Sequence, residues 1–186
     1  MKQIFDLFVG VILLVLLAIP MSLIAIAIRL TSKGPTLYWS DRIGKNNNIF
    51  KMPKFRSMFS HTPDVATHQL DNPDSYLSPI GGFLRRSSLD ELPQLFSVLK
   101  GDMSFVGPRP ALFNQDDLIT LRTEKGVDKL LPGITGWAQV NGRDELSIPD
   151  KVALDAEYLN RQSFWFDIKI LRMTFLRVVN RDGVSH

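Results

Sequence analysis

From Leu7 to Ile28 the chain carries no charged side chain, and a single proline, Pro20, interrupts that run. As a continuous α-helix the run would be about 33 Å long at 1.5 Å per residue, enough to cross a hydrocarbon core of about 30 Å. Three readings compete. A cleaved signal peptide would explain Lys2 before the run and Ala25-Ile26-Ala27 near its end. Its apolar region should span only about 7–15 residues, however, and this run is longer and broken by Pro20. A spanning helix satisfies the length. A helix that enters the bilayer, bends and leaves by the same face also uses the proline. Pro20 lacks an N–H and its ring clashes with the Leu16 carbonyl, which permits a sharp bend. The Ser22 hydroxyl can then satisfy a freed carbonyl. Basic residues flank both ends, Lys2 on one side and Arg29 and Lys33 on the other. The positive-inside bias draws both ends to the cytosol, which favours re-entry.

The remainder of the 186 residues is one domain's worth of chain and can bury a real core. A formal net charge of +3 and a pI near 9.3 favour anionic lipid or phosphate partners weakly. They argue against nucleic acid, which demands a denser basic face. No cysteine is present, so disulfides and thiolate metal sites are excluded.

Local patterns give an outline of the elements. Thr36–Ser40 and Ile49–Met52 read as short strands around the turn Gly44-Lys45-Asn46-Asn47-Asn48. Ser60 to Pro79 is polar and proline-punctuated, as a surface loop would be. His61 and His68 fall in it and receive no role. An amphipathic helix runs from Leu92 to Lys100 and closes at Gly101. Met103–Val106 reads as a strand, and Pro149–Arg161 as a helix with proline at its first position. Trp137-Ala138-Gln139-Val140 reads as a strand whose end would project Arg143 into a cleft. Ser163–Arg181 is amphipathic and basic. Phe164, Trp165, Ile168, Leu171, Phe175, Leu176 and Val179 recur at helical spacing, and the pattern serves a core-facing helix and an interfacial one equally well.

The chemistry concentrates in Arg85-Arg86-Ser87-Ser88-Leu89-Asp90-Glu91-Leu92-Pro93-Gln94, followed by Gly107-Pro108-Arg109-Pro110. Adjacent carboxylates set among arginines at a helix start suit reactions of a phosphate. The arginines and N–H groups hold the anion, and a carboxylate attacks or moves a proton. A purely structural role also fits. Ser88-x-x-Glu91 matches a capping box, and acids in a first turn complement the helix dipole. That dipole would keep Asp90 ionised. Pro93 is tolerated only in a first turn, so the helix start lies anywhere from Leu89 to Leu92. Lys54 and Arg56, two apart on a strand, share a face that can bind an anion. Arg109 sits on a backbone stiffened by two prolines, as a positioned phosphate contact requires.

Ser87 to Phe96 and Lys100 to Pro110 resemble the central signature of the monotopic phosphoglycosyl transferases, bacterial sugar transferases that act on a polyprenol phosphate. Phe50-Lys51-Met52-Pro53-Lys54-Phe55-Arg56-Ser57-Met58 and Pro132 to Arg143 extend the likeness, which runs from the apolar segment to Gly183-Val184-Ser185. The resemblance implies a mixed α/β fold. A re-entrant membrane helix, residues 1–30, would join a compact cytosolic domain, residues 31–186, of helices around short strands with amphipathic interfacial helices. It implies transfer of a phosphosugar from a UDP-sugar to undecaprenyl phosphate at the bacterial inner membrane, with release of UMP. Asp90 would be the nucleophile and would bind Mg2+. Glu91 would carry a proton, ligate metal or orient Asp90. Lys54, Arg56, Arg85, Arg86, Arg109 and Arg143 would hold the phosphates and nucleotide. The product would begin a glycoconjugate and pass to downstream glycosyltransferases. Family members often carry a serine before the membrane proline, where this chain has Ile19. After Arg143 stand Asp144-Glu145-Leu146-Ser147-Ile148, where some relatives have an asparagine and a tryptophan. That region or the 60–79 loop is the expected sugar selector, and an N-acetylated amino sugar, 6-deoxy or not, is the expected substrate. A membrane phosphohydrolase with the same aspartyl intermediate and a non-enzymatic scaffold remain the alternatives.

Overall fold

The computed structural model describes residues 2–60, 62, 72–142 and 145–180. Arg143, Asp144, His61, His68 and half of the 60–79 loop lie outside them. The apolar run forms one helix, α1, Lys2–Thr31. The helix continues through Pro20, and Ser22 Oγ donates to the Ala18 carbonyl at 2.8 Å rather than to that of Leu16. Most of its apolar residues are exposed, among them Phe8, Val15, Leu16, Ile19 and Leu30. Its length and composition suffice to cross a membrane.

The helix nevertheless lies against the rest of the protein along its length. Val9, Leu13 and Leu17 pack on the main core, and Met21 and Ile28 form a second core with Phe55 and Leu84. A Cβ on Gly10 would stand 2.9 Å from Leu99 Cδ2, so a larger residue there would have to push the Leu99 side chain aside. Polar contacts fasten the start. Lys2 Nζ pairs with Asp167 Oδ2 at 2.5 Å, and the buried Asp6 accepts from the Phe105 N–H at 3.4 Å. The other end is held by Arg56, whose guanidinium donates to the Ser32 and Lys33 carbonyls and to Ser32 Oγ. The apolar helix and the rest of the protein therefore share their cores.

Strands β1, Leu37–Ile43, and β2, Ile49–Phe55, form an antiparallel hairpin with Tyr38 opposite Lys54 and Arg42 opposite Phe50. Both run further than their apolar patterns indicated. Asn46 and Asn47 take positive φ in the turn, a conformation asparagine tolerates well. Helix α2, Gly81–Arg86, leads into a 3₁₀ turn, Leu89–Glu91, and then α3, Gln94–Lys100, which Gly101 closes at φ 86°. Strand β3, Ser104–Val106, pairs in parallel with β4, Gly133–Thr135. Between them lies α4, Asp116–Glu124. The segment expected as a strand, Trp137–Val140, instead enters a 3₁₀ turn at Gln139–Asn141, so no strand end leads to position 143.

Helix α5, Ile148–Arg161, is capped by Ser147, which accepts from the Asp150 N–H, and Pro149 takes its second position rather than its first. Helix α6, Phe164–Asn180, buries Phe166, Asp167 and Ile170. Most of the stripe read from the sequence points outward: Phe164, Trp165, Phe175 and Leu176 are exposed. The helix thus serves the core with one face and leaves a second apolar face uncovered. The architecture is the expected mixture of helices and short strands.

Candidate active site

The central turn is built by a strained residue, not by a cap. Ser88 sits in the left-handed region at φ 55°, ψ 18°, and its side chain makes no capping bond. A non-glycine residue held there stores of the order of 1 kcal/mol. The conformation swings the chain out of α2 and aims the 3₁₀ turn at β2. Lys54, on β2, then meets Glu91: Nζ to Oε1 is 2.8 Å. Arg109 Nη2 reaches the same oxygen at 3.1 Å from the Pro108-Arg109-Pro110 turn.

Asp90 and Glu91 are adjacent in sequence but live in different electrostatic settings. Burial pushes the Glu91 carboxyl up, yet Arg109 and Lys54 outweigh it and hold the group well below the usual carboxylate range. Asp90 is 8% exposed, and burial raises its carboxyl above its ordinary value. Lys54 and Arg85 pull it down and Glu91 pushes it up. The expected dominance of a helix dipole at Asp90 is therefore corrected: α3 begins only at Gln94, and burial has the larger effect. Two neighbouring carboxyls driven apart in this way are the pattern of an acid–base or nucleophilic site.

The other sequence candidates divide. Arg85 feels the Asp90 charge and rests its guanidinium 3.8 Å from Met58 Sδ. Arg86 is exposed at the end of α2. Arg56 is turned to the α1 exit by the bonds already given and by one to Ser60 Oγ at 3.0 Å, so the structure does not bring it to the carboxylates. Arg143 lies outside the described residues.

One cation of the site went unread in the sequence. Arg42, on β1, lies near enough to feel both Arg109 and Glu91, and burial with the nearby Arg109 guanidinium lowers it to about 10. The register carries a signal that could have found it. Tyr38 opposite Lys54, Ser40 opposite Met52 and Arg42 opposite Phe50 all project from one face of the hairpin. Lys54, Arg109 and Arg42 thus gather three cations around two carboxylates, an arrangement that favours a polyanion.

The donor set also fits a hard divalent cation. Magnesium commonly takes only one or two protein carboxylates, with water and substrate phosphates completing its shell. Among the described residues no side chain hydrogen-bonds to the Asp90 carboxylate, whereas Glu91 is already paired, and no group of three acidic or histidine side chains gathers elsewhere.

The family model for bacterial sugar transferases matches residues 1–181. An undecaprenyl-phosphate glucose phosphotransferase of Komagataeibacter xylinus is 44% identical over 96% of this chain and 36% of its own length. A UDP-glucose:undecaprenyl-phosphate glucose-1-phosphate transferase of Escherichia coli is 39% identical over 95% of this chain and 40% of its own. An uncharacterized sugar transferase, EpsL, of Bacillus subtilis is 37% identical and matches end to end, over 100% of this chain and 90% of its own. The chain spans well under half the length of the first two relatives. With the family model matching residues 1–181 and relatives 37–44% identical over nearly the whole chain, the chain belongs to the bacterial sugar transferase family.

Proposed function

We propose that this chain is a phosphoglycosyl transferase that moves a sugar-1-phosphate from a UDP-sugar to undecaprenyl phosphate. The observation that carries the reading is the buried Asp90 carboxylate, without a side-chain partner among the described residues, beside a Glu91 that Lys54 and Arg109 hold ionised. In the first half-reaction an Asp90 oxygen attacks the β-phosphorus of the UDP-sugar. The bond from that phosphorus to the bridging oxygen breaks, UMP leaves with the oxygen, and a phosphosugar remains on Asp90 as an acyl phosphate. In the second, a phosphate oxygen of undecaprenyl phosphate attacks the same phosphorus and restores the carboxylate. The product is undecaprenyl diphosphate sugar, the first lipid-linked unit of a glycoconjugate and a substrate for later glycosyltransferases.

The main obstacle is repulsion between the carboxylate and the diphosphate, and the cations around Glu91 answer it. Lys54 and Arg109 neutralise Glu91, orient it and bring positive charge to where the phosphate oxygens would lie. Magnesium held by Asp90 would supply further charge neutralisation of the diphosphate. Arg42 and Arg85 extend the positive field to either side.

The lipid acceptor gives α1 its purpose. Lys2 and Asp6 at one end, and Ile28 and Ser32 at the other, contact the same domain. A helix fastened at both ends to one body does not place that body's two attachments on opposite sides of a bilayer. This supports a re-entrant anchor with the catalytic domain on the cytosolic face of the inner membrane. The names of relatives place glucose, and in one from Salmonella typhimurium galactose, among the sugars to try beside N-acetylated ones. The test is a panel of UDP-sugars, each with and without undecaprenyl phosphate, scored by UMP release. Lipid-dependent release with at least one sugar is expected. Release with water alone as acceptor would make the protein a phosphohydrolase, and no release with any sugar would reject the reading.

A further inference from the structure

Arg109 reaches Glu91 from a turn whose freedom is unusually small. Pro108 and Pro110 fix their own φ angles, so the remaining torsions decide where the guanidinium points. The carbonyls of the turn report those torsions, and donors from β1, α4 and β4 take them. Gly133 N–H donates to the Pro108 carbonyl at 2.9 Å, and Ile43 N–H to that of Ala111 at 3.0 Å. Arg42 Nη1 donates to the Pro110 carbonyl at 3.3 Å. The central carbonyl, that of Arg109 itself, accepts from Arg122 Nη1 at 2.8 Å.

Arg122 is in turn held from behind. Its Nε and Nη2 donate to a single oxygen of Asp155, at 3.0 and 2.6 Å. Asp155 is 1% exposed and the Arg122 side chain 12% exposed. All three guanidinium nitrogens of Arg122 are therefore engaged. A buried ion pair is a weak source of net stability, because desolvation offsets its attraction, whereas it fixes geometry well. Its place on α4 and α5, with one arm on the Arg109 backbone, gives that rigidity a use.

We infer that Asp155 and Arg122 are positioning residues that set the backbone of Arg109, and through it the cation offered to Glu91 and the substrate diphosphate. The inference rests on the phosphosugar-transfer reading and adds the device that aims one of its cations. A displacement of about 1 Å at a reacting centre can cost on the order of a hundredfold in rate, so even a small slackening is measurable.

The test is a pair of double-mutant cycles. Asp155→Asn and Arg122→Lys are each measured in the native chain and in an Arg109→Lys background. In the native background kcat/KM for the UDP-sugar should fall about tenfold, an intermediate share of the misplacement cost. In the Arg109→Lys background the same changes should cost less than about twofold, because the group being aimed is already altered. Equal losses in both backgrounds, or no loss in the native one, would overturn the inference. A merely structural pair would lower the thermal midpoint and act additively on rate. If the native chain releases no UMP, the transfer reading fails, and hydrogen exchange decides the positioning claim alone. Faster exchange at the Gly133 and Ile43 amides, which donate to the turn, in Asp155→Asn, with the rest unchanged, supports it, and unchanged exchange there refutes it.

Discussion

Replacing Lys54 by methionine tests the electrostatic logic of the site most quantitatively. Lys54 and Glu91 are each 17% exposed at the side chain, so the pair is poorly screened by water. Orphaning a buried charge completely costs about 3–5 kcal/mol, but Arg109 still binds the same Glu91 oxygen. The loss should then be closer to one charged hydrogen bond, about 2 kcal/mol. For a chain of this size that lowers the thermal midpoint by about 4–8 °C, read by circular dichroism in detergent micelles. Lys51 supplies the control. Its pair with Asp41 is 68% and 43% exposed, and Lys51→Met should shift the midpoint by no more than a degree or two. Adding Glu91→Gln to Lys54→Met should restore much of the stability, since both buried charges then disappear together. Activity should not return with it, because Lys54 also draws Asp90 toward its ionised form. A Lys54→Met shift no larger than that of Lys51→Met, or strictly additive losses in the double variant, would refute the reasoning.

Gly10→Leu should loosen α1 from α3, since even a Cβ there meets Leu99 at 2.9 Å. The expected readout is faster proteolysis near the N-terminus and lost activity, and an unchanged protein would show that this close approach is dispensable. Ser88→Asn should keep most activity, because asparagine tolerates the left-handed region, while Ser88→Val should lose it with little loss of helix content. Equal activity in the two variants would mean that the left-handed turn does not aim the carboxylates. Gln3→Cys and Lys33→Cys place single thiols at exposed positions of a cysteine-free chain. Both should resist an impermeant thiol reagent in intact cells until the inner membrane is opened, whereas labelling of position 3 alone would mean a spanning helix.

Legibility in the sequence followed the range of the forces. The hairpin, α3 with Gly101, the end of β3 and the approximate extents of α5 and α6 were readable, because each rests on local periodicity or a stop signal. Ser88 was misread for a physical reason: Ser-x-x-Glu favours a cap only when serine has extended φ and ψ, and here the turn out of α2 forces it left-handed. The outward stripe on α6 was visible, but its core residues Phe166 and Ile170 were not, since two buried positions on a one-sided contact make little periodic signal. Asp90, Glu91, Lys54 and Arg109 could be named from their motifs. Arg122 could not, because its partners are a carbonyl and a carboxylate that only tertiary packing delivers. Arg56 was assigned to an anion from its spacing to Lys54, whereas the chain leaving α1 offers it carbonyls nearer by.

The central claim is that Asp90 carries the phosphosugar. The direct measurement supplies a UDP-sugar labelled in the sugar to the purified protein in nanodiscs without undecaprenyl phosphate, and follows label on the intact chain by mass. Native protein should gain one sugar-phosphate with release of one UMP and should lose it when undecaprenyl phosphate is added, and Asp90→Asn should gain none. Normal turnover with lipid, but no adduct in its absence and intersecting rather than parallel initial-rate plots, would contradict the account and point to direct transfer between the two substrates.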